Sequence, residues 1–144
     1  MLTQITACEV TESTGKGTGD SPLLQPLAIQ TANSGFEIKE FTADMAYNSI
    51  ANSNAIKELG GIAYIPYKSN TAATVRSGNR GKLWRKMFHY FQLNQEEFMS
   101  HYHARANVES TFCAIKTKFG DYLKAKNFES QTNELLCKVI AYNI

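Results

Sequence analysis

F-E-I-K-E-F-T-A-D-M-A-Y-N-S-I-A-N-S-N-A-I-K-E-L-G-G-I-A-Y-I-P occupies positions 36–66, and its reading decides the fold. Phe36 to Ala43 alternate apolar and polar, the period of a strand with one face buried. Asp44 ends that run. A helix then starts at Ser49 or Asn52, both capping residue types, and runs to Leu59, where Gly60-Gly61 breaks it. Ile62-Ala63-Tyr64-Ile65 is a short buried strand stopped by Pro66. Strand, helix and strand in this order predict parallel strands joined by a right-handed crossover. Ligands of such sheets collect at the carboxyl ends of strands, and Asp44 lies at one. An Asx turn or helix cap is the plain alternative for an Asp there. The strand-end position favours a functional carboxylate.

On the N-terminal side, residues 2–12 read as a further, weakly alternating strand rich in Thr. Gly15, Gly17 and Gly19 make residues 13–21 a flexible turn. They lack the Gly-Lys-Ser/Thr that would complete a phosphate-binding loop. Ser21-Pro22 suits the N-cap and first position of a helix that Leu24, Leu27, Ala28 and Ala32 continue to about Asn33.

On the C-terminal side, residues 67–86 carry Lys68, Arg76, Arg80, Lys82, Arg85 and Lys86 with no acid among them. The net charge of +2 conceals this cluster. A basic loop bearing Gly78, Gly81, Asn70 and Asn79 can follow a phosphate backbone. A solvated linker is its plain alternative. Trp84 either stacks on an unpaired base or packs with Met87, Phe88 and Phe91 on the next helix. Asn94 caps a helix through Phe98 that leads to Tyr102.

Tyr102, Arg105, Glu109 and Lys116 form Y-x2-R-x3-E-x6-K. On a continuous helix all four fall within a sector roughly 60° wide. A carboxylate flanked by two cations and a phenol suits metal-bound phosphate chemistry, whereas a lone Arg–Glu pair would be an ordinary solvated contact. Val108, Phe112, Ile115 and Phe119 form a separate apolar stripe, which places Glu109 at the edge of the core, partly shielded. Gly120 stops the helix. A last helix spans about 129–143, with Leu135, Leu136, Val139 and Ile140 inward and Thr132 at the turn before it.

Apolar residues make up 43% and charged residues 19% of the 144, a globular composition long enough for one domain with a sizeable core. No apolar run long enough to span a membrane occurs, and the N-terminus lacks the order of a secretion signal. Cys8, Cys113 and Cys137 read as buried free thiols of a reducing cytoplasm, with no disulfide framework and no Cys-based zinc site. His101 and His103, two apart, suit opposite faces of a strand rather than one metal site.

The chain resembles an insertion-sequence transposase of the DDE type, in the group marked by a Y-R-E-K motif. T-A-D-M-A-Y-N-S (42–49), A-Y-I-P-Y-K-S-N (63–70), H-Y-H-A-R-A-N-V-E-S-T-F (101–112), I-K-T-K-F-G (115–120) and N-E-L-L-C-K-V-I-A-Y-N-I (133–144) carry the likeness. It implies DNA cleavage and strand transfer at transposon ends, with Mg2+ or Mn2+ as cofactor. The implied fold is α/β, an incomplete RNase H-like core of three strands with flanking helices that lacks the first two strands of the core. Residues 1–144 would then be the C-terminal part of the catalytic domain, with the basic loop at 67–86.

By the same resemblance Asp44 is the second catalytic Asp and Glu109 the catalytic Glu, both metal ligands. Tyr102, Arg105 and Lys116 contact DNA, joined by Lys68, Arg76, Arg80 and Trp84 of the basic segment. Carboxylates of this kind hold hard divalent ions that assist in-line displacement at phosphorus. The first catalytic Asp has no counterpart here, since residues 2–12 resemble the third strand and Asp20 follows a Gly-rich turn. The implied protein is therefore a truncated transposase, or else an inactive remnant that at most binds DNA or full-length transposase. A sequence-indifferent nuclease of the same fold is a further reading. The implied partners are transposon-end DNA and a homodimer or the full-length enzyme, with no membrane, in the cytoplasm and at the nucleoid when DNA-bound.

Overall fold

The computed structural model describes residues 5–8, 10, 21–72 and 78–144, apart from the side chain of Arg80. Two compact units divide the chain, Thr18–Arg105 and a second made of Met1–Gly17 with Ala106–Ile144.

The first unit holds the sheet. A 3-10 turn, Ser21–Leu23, leads into α1, Leu24–Asn33. The expected helix end is met, but the Ser21 side chain does not cap α1; its hydroxyl accepts from Asn52 instead. β1 is Glu40–Thr42, α2 is Ile50–Glu58 and β2 is Ile62–Tyr64. The two strands pair in parallel, with Glu40 opposite Ile62 and Thr42 opposite Tyr64. Parallel pairing follows the sequence reading, although the ladder is shorter than the alternation at 36–43. Of the two candidate caps, Ser49 begins α2, its hydroxyl accepting from the Asn52 N–H at 3.1 Å.

The glycine pair after α2 has two separate jobs. Gly60 takes φ +88°, the left-handed conformation that ends a helix and that glycine adopts without strain. At Gly61 a Cβ would lie 2.9 Å from the Ile38 side chain and 3.0 Å from its carbonyl oxygen. Only a residue without a side chain lets β2 enter the sheet that close to residue 38.

Two apolar clusters stabilise this unit. Leu24, Ala28, Ile38, Ile56 and Ile65 are buried between α1, α2 and the sheet. Tyr64, Tyr67, Met87, Phe88 and Phe98 form the second cluster, joining the sheet to α3, Lys82–Leu93, and α4, Gln95–Tyr102. Trp84 lies parallel to Phe88 at 5.8 Å and meets Tyr67 edge-on at 5.1 Å. The packing alternative for this tryptophan is therefore the one observed.

A 3-10 turn, His103–Arg105, separates α4 from α5, Ala106–Phe119. This corrects the continuous helix expected beneath Tyr102, Arg105, Glu109 and Lys116. Tyr102 ends α4, Arg105 ends the turn, and Glu109 and Lys116 lie on α5. A 3-10 turn advances about 120° per residue instead of about 100°, so a wheel drawn through it loses register. His101 and His103 are likewise at a helix end and in a turn, not on a strand.

The second unit is built on α5 and α6, Phe128–Asn143. Its buried face on α5 is Thr111 and Ile115, one helical turn apart, while Val108 is 50% and Phe112 58% exposed. The expected stripe through Val108 and Phe112 is thus corrected, and Glu109 is exposed rather than shielded at a core edge. Gly120 stops α5 as expected, with φ +84° and its N–H donating to the Lys116 carbonyl at 2.8 Å. Asn127 caps α6 by accepting from the Ser130 N–H at 2.8 Å. Thr132, expected before this helix, lies inside it.

Residues 5–8 and 10 form no strand, against the strand expected at 2–12. At Ile5 the backbone groups bond to a side chain instead. The Ile5 N–H donates to the Asn143 side-chain oxygen at 3.0 Å and the Ile5 carbonyl accepts from its amide at 2.7 Å. One side chain thus takes both groups that a neighbouring strand would pair. Residues 1–4, 9 and 11–20 lie outside the described residues, as do the expected Gly-rich turn, Glu9 and Asp20. The three cysteines are free, but Cys113 and Cys137 are exposed rather than buried.

Glu134 ties the segment after Gly120 to α6. Its carboxylate accepts from the N–H groups of Lys124 and Ala125 at 2.8 and 3.0 Å and pairs with Lys138 at 3.3 Å. The Ala125 N–H, then Lys138 and the Lys124 N–H, hold its carboxyl below the usual glutamate value, with desolvation opposing them. A lowered folded pKa means stability present above the unfolded value and lost as pH falls through the folded one. The stability advantage of wild type over Glu134→Gln should therefore be full near neutrality and vanish in acid. Urea midpoints of both proteins measured from about pH 7 down to about pH 3 test this; a gap independent of pH would refute it.

Candidate functional site

Asp44 stands two residues beyond β1, at the carboxyl end of that strand. Its backbone is extended and its Oδ1 accepts from the Met45 N–H at 2.9 Å, capping the 3-10 turn Met45–Tyr47. Local chemistry alone explains that cap, since Asp bonds readily to a following backbone N–H. The tertiary fold adds a cation. Arg105 Nη2 lies 3.5 Å from Asp44 Oδ2, with the arginine side chain 33% and the aspartate 51% exposed. Residues 61 apart in sequence meet here, both inside the first unit.

Four residues before each partner is a second pair. His101 Nδ1 lies 3.0 Å from Glu40 Oε2, and the imidazole stacks on Tyr64 at 4.3 Å and 11°. Burial first, then the charges of Glu40 and Glu97, push the Tyr64 phenol above its ordinary pKa. Thus α4 and the turn after it set an imidazole against Glu40 in β1 and a guanidinium against Asp44 just beyond its end.

Two asparagines, absent from the candidate residues of the sequence, hold this end of the sheet. The Asn48 amide donates to the carbonyls of Ile65 at 2.8 Å and Pro66 at 3.0 Å, and its oxygen accepts from the Trp84 ring N–H at 2.6 Å. Asn52, 2% exposed, donates to the Tyr47 carbonyl and to the Ser21 carbonyl and hydroxyl, and accepts from Gln25. Asn48 is the penultimate residue of the block T-A-D-M-A-Y-N-S; its presence there was the one signal available beforehand. Tyr67 adds a hydroxyl that donates to the Trp84 carbonyl at 3.0 Å, and burial raises its phenol far above the ordinary value.

Beside Met45 opens a cavity of about 760 Å³ with Tyr67, Phe88 and Phe91 as walls and Lys68 and Asn70 at its rim. Lys68 is exposed there. Tyr102 is half-buried and packs against the aromatic cluster. Lys82, Arg85 and Lys86 lie on α3, so the basic segment is part loop and part helix. The Arg85 guanidinium donates to the Gly78 carbonyl at 3.0 Å. Arg76 lies outside the described residues, and of Arg80 only the backbone is described. Glu109 and Lys116, two turns apart on one face of α5, are exposed and belong to the second unit.

Among the described residues no three His, Cys, Asp or Glu side chains gather into a metal-sized cluster. Both oxygens of Asp44 are already engaged, one by a backbone N–H and one by a guanidinium. The donor set as it stands does not fit a bound divalent ion. No helix among these residues is long and apolar enough to cross a membrane.

A family model described as a transposase DDE domain matches residues 3–144. No curated protein and no solved structure matches the chain.

Proposed function

The chain belongs to the transposases of the DDE-domain family, and from that membership we propose that it serves DNA transposition with Asp44 and Glu109 as two of the family's catalytic carboxylates. The observation that carries the reading is the family match over nearly the whole chain, joined to an aspartate at a parallel strand end with an arginine beside it. The Y-R-E-K subgroup is part of the proposal, with Arg105, Lys116 and Tyr102 as contacts to DNA. Arg offers phosphate a planar fork and Lys a point charge. Lys68, Arg76 and Arg80 extend that contact along the backbone, while Trp84 packs against Phe88 and Tyr67. DDE transposases generally use divalent metal ions, and Mg2+ or Mn2+ is the ion we propose.

No residue in positions 1–144 is assigned as the first catalytic Asp. The chain by itself is therefore expected to bind DNA without cleaving it, either as part of a transposase or as a remnant of one. Fluorescence anisotropy with labelled duplexes, one bearing the inverted repeats beside the gene and one scrambled, tests the binding. Similar affinity for both is expected, falling with salt. Removing the charge of Lys68 should lower the salt slope by about one. No binding even in dilute salt would refute the function, and metal-dependent cleavage of the duplex by the purified chain would refute the expectation that it binds without cleaving.

A further inference from the structure

We propose that α5 is a docking face for a second copy of this chain, the two α5 helices lying antiparallel across a two-fold axis at Phe112. The second unit carries apolar surface that its own fold leaves uncovered. Among its described residues α5 buries only Thr111 and Ile115, and α6 buries none. Val108 and Phe112, one turn apart on α5, are each at least half exposed. Amphipathic helices are stabilised mainly by burying such a face against a neighbour.

Inside the unbroken helix Ala106–Phe119 this surface has a regular pattern. Counted from Val108, Phe119 and Phe112 lie at about 20° and 40°, and Lys116 and Glu109 at about 80° and 100°. The buried Thr111 and Ile115 fall on the other side, at about 300° and 340°. An apolar stripe is thus bordered by one acid and one base, both exposed.

That border identifies the occupant. Glu109 comes three residues before Phe112, and Lys116 four after it. When two copies of α5 meet antiparallel at Phe112, each Glu109 comes level with Lys116 of the other copy. Two opposite-charge pairs then flank the paired Phe112 side chains. A parallel meeting would set Glu109 on Glu109 and Lys116 on Lys116. The face is therefore complementary to itself in one orientation, as an isologous two-fold contact requires. A helix of 14 residues supplies a short contact, so the affinity belongs to the weak, reversible class. Glu109 and Lys116 also belong to the proposed transposase site, and a paired chain holds both away from DNA.

Sedimentation equilibrium of the whole chain without DNA, from about 10 to about 500 μM, tests the pairing apart from the transposase reading. Wild type is expected to pass from monomer to dimer within that range. Glu109→Lys and Lys116→Glu should each weaken the dimer about two- to thirtyfold, the range for losing two exposed ion pairs. An equimolar mixture of these two variants should associate again, because each offers charges opposite to the other's. Phe112→Ala should weaken association about tenfold or more. All three substituted side chains are exposed, which leaves the fold intact. A wild type that stays monomeric throughout the range overturns the proposal. Association that Glu109→Lys leaves unchanged overturns it too, as does a mixture no tighter than its components.

Discussion

Phe98→Ala is expected to destabilise the sheet-bearing unit by about 3–5 kcal/mol, the range for deleting a buried aromatic ring. Phe98 has no exposed surface and is ringed by Phe91 at 5.0 Å, Tyr64 at 5.4 Å and Tyr90 at 6.1 Å. These neighbours come from α3 and β2, and each is fixed by further contacts, so the hole left by the ring cannot close fully. The residual cavity adds to the lost transfer energy. A loss of that size is a large part of the ~5–15 kcal/mol that holds a typical domain. Urea denaturation followed by tyrosine and tryptophan fluorescence measures it. Phe98→Leu, which keeps most of the volume, should lose clearly less. Equal losses for the two variants would show that the ring geometry, not the filled space, matters.

Asn52→Ala is the second large effect, expected at about 2–4 kcal/mol, because truncation of this buried amide leaves several part-buried partners without bonds, at up to roughly 1–3 kcal/mol each. The amide of Asn52 donates to three oxygens, two of Ser21 and one of Tyr47, and its carbonyl oxygen receives the Gln25 amide. Asn52→Asp separates this network from simple packing. It keeps the acceptor and the shape but turns an acceptor oxygen towards the three oxygens the amide had served, and buries a charge. It should destabilise at least as much as Asn52→Ala at neutral pH, and recover in part as acid protonates the new carboxyl. Thermal melts of both variants across pH check the order. Recovery of wild-type stability by Asn52→Asp at neutral pH would rule the network out as the cause.

Both predictions concern residues that periodicity does not single out. Asn52 offered itself as one of two caps for α2, and Ser49 took that role because its hydroxyl reaches the Asn52 N–H. Asn52 was then free to turn inward, a choice fixed only by the 3-10 turn at Ser21 lying over α2. Asn48 is similar: nothing local says that its oxygen will meet the indole of Trp84, 36 residues on. Trp84 itself had two readings; the aromatic cluster packs against its face and Asn48 accepts its N–H.

The helix wheel drawn through Tyr102, Arg105, Glu109 and Lys116 failed for a related reason. The match over residues 3–144 shows the DDE family that the resemblance named, and the subgroup marked by this motif belongs to the proposal. The common face of the four residues depended on unbroken α geometry, and the 3-10 turn at His103–Arg105 removes that premise. On α5 the buried positions are Thr111 and Ile115, not the more apolar Val108 and Phe112. Apolar period predicts which face a helix can bury, while the neighbours present decide which face it does bury.

By itself the sequence determined what is local: the strand–helix–strand order at 36–66, the cap at Ser49, the stops at Gly60 and Gly120, and the family blocks. These depend on backbone preferences and on residues a few positions apart, so neighbours in sequence suffice to specify them. The tertiary structure alone decided the state of Asp44. A strand end made it a candidate, but only the packing of α4 on the sheet brings a guanidinium from position 105 to its carboxylate. Charge acts through space, and the distance between residues 61 apart exists only once the chain has folded.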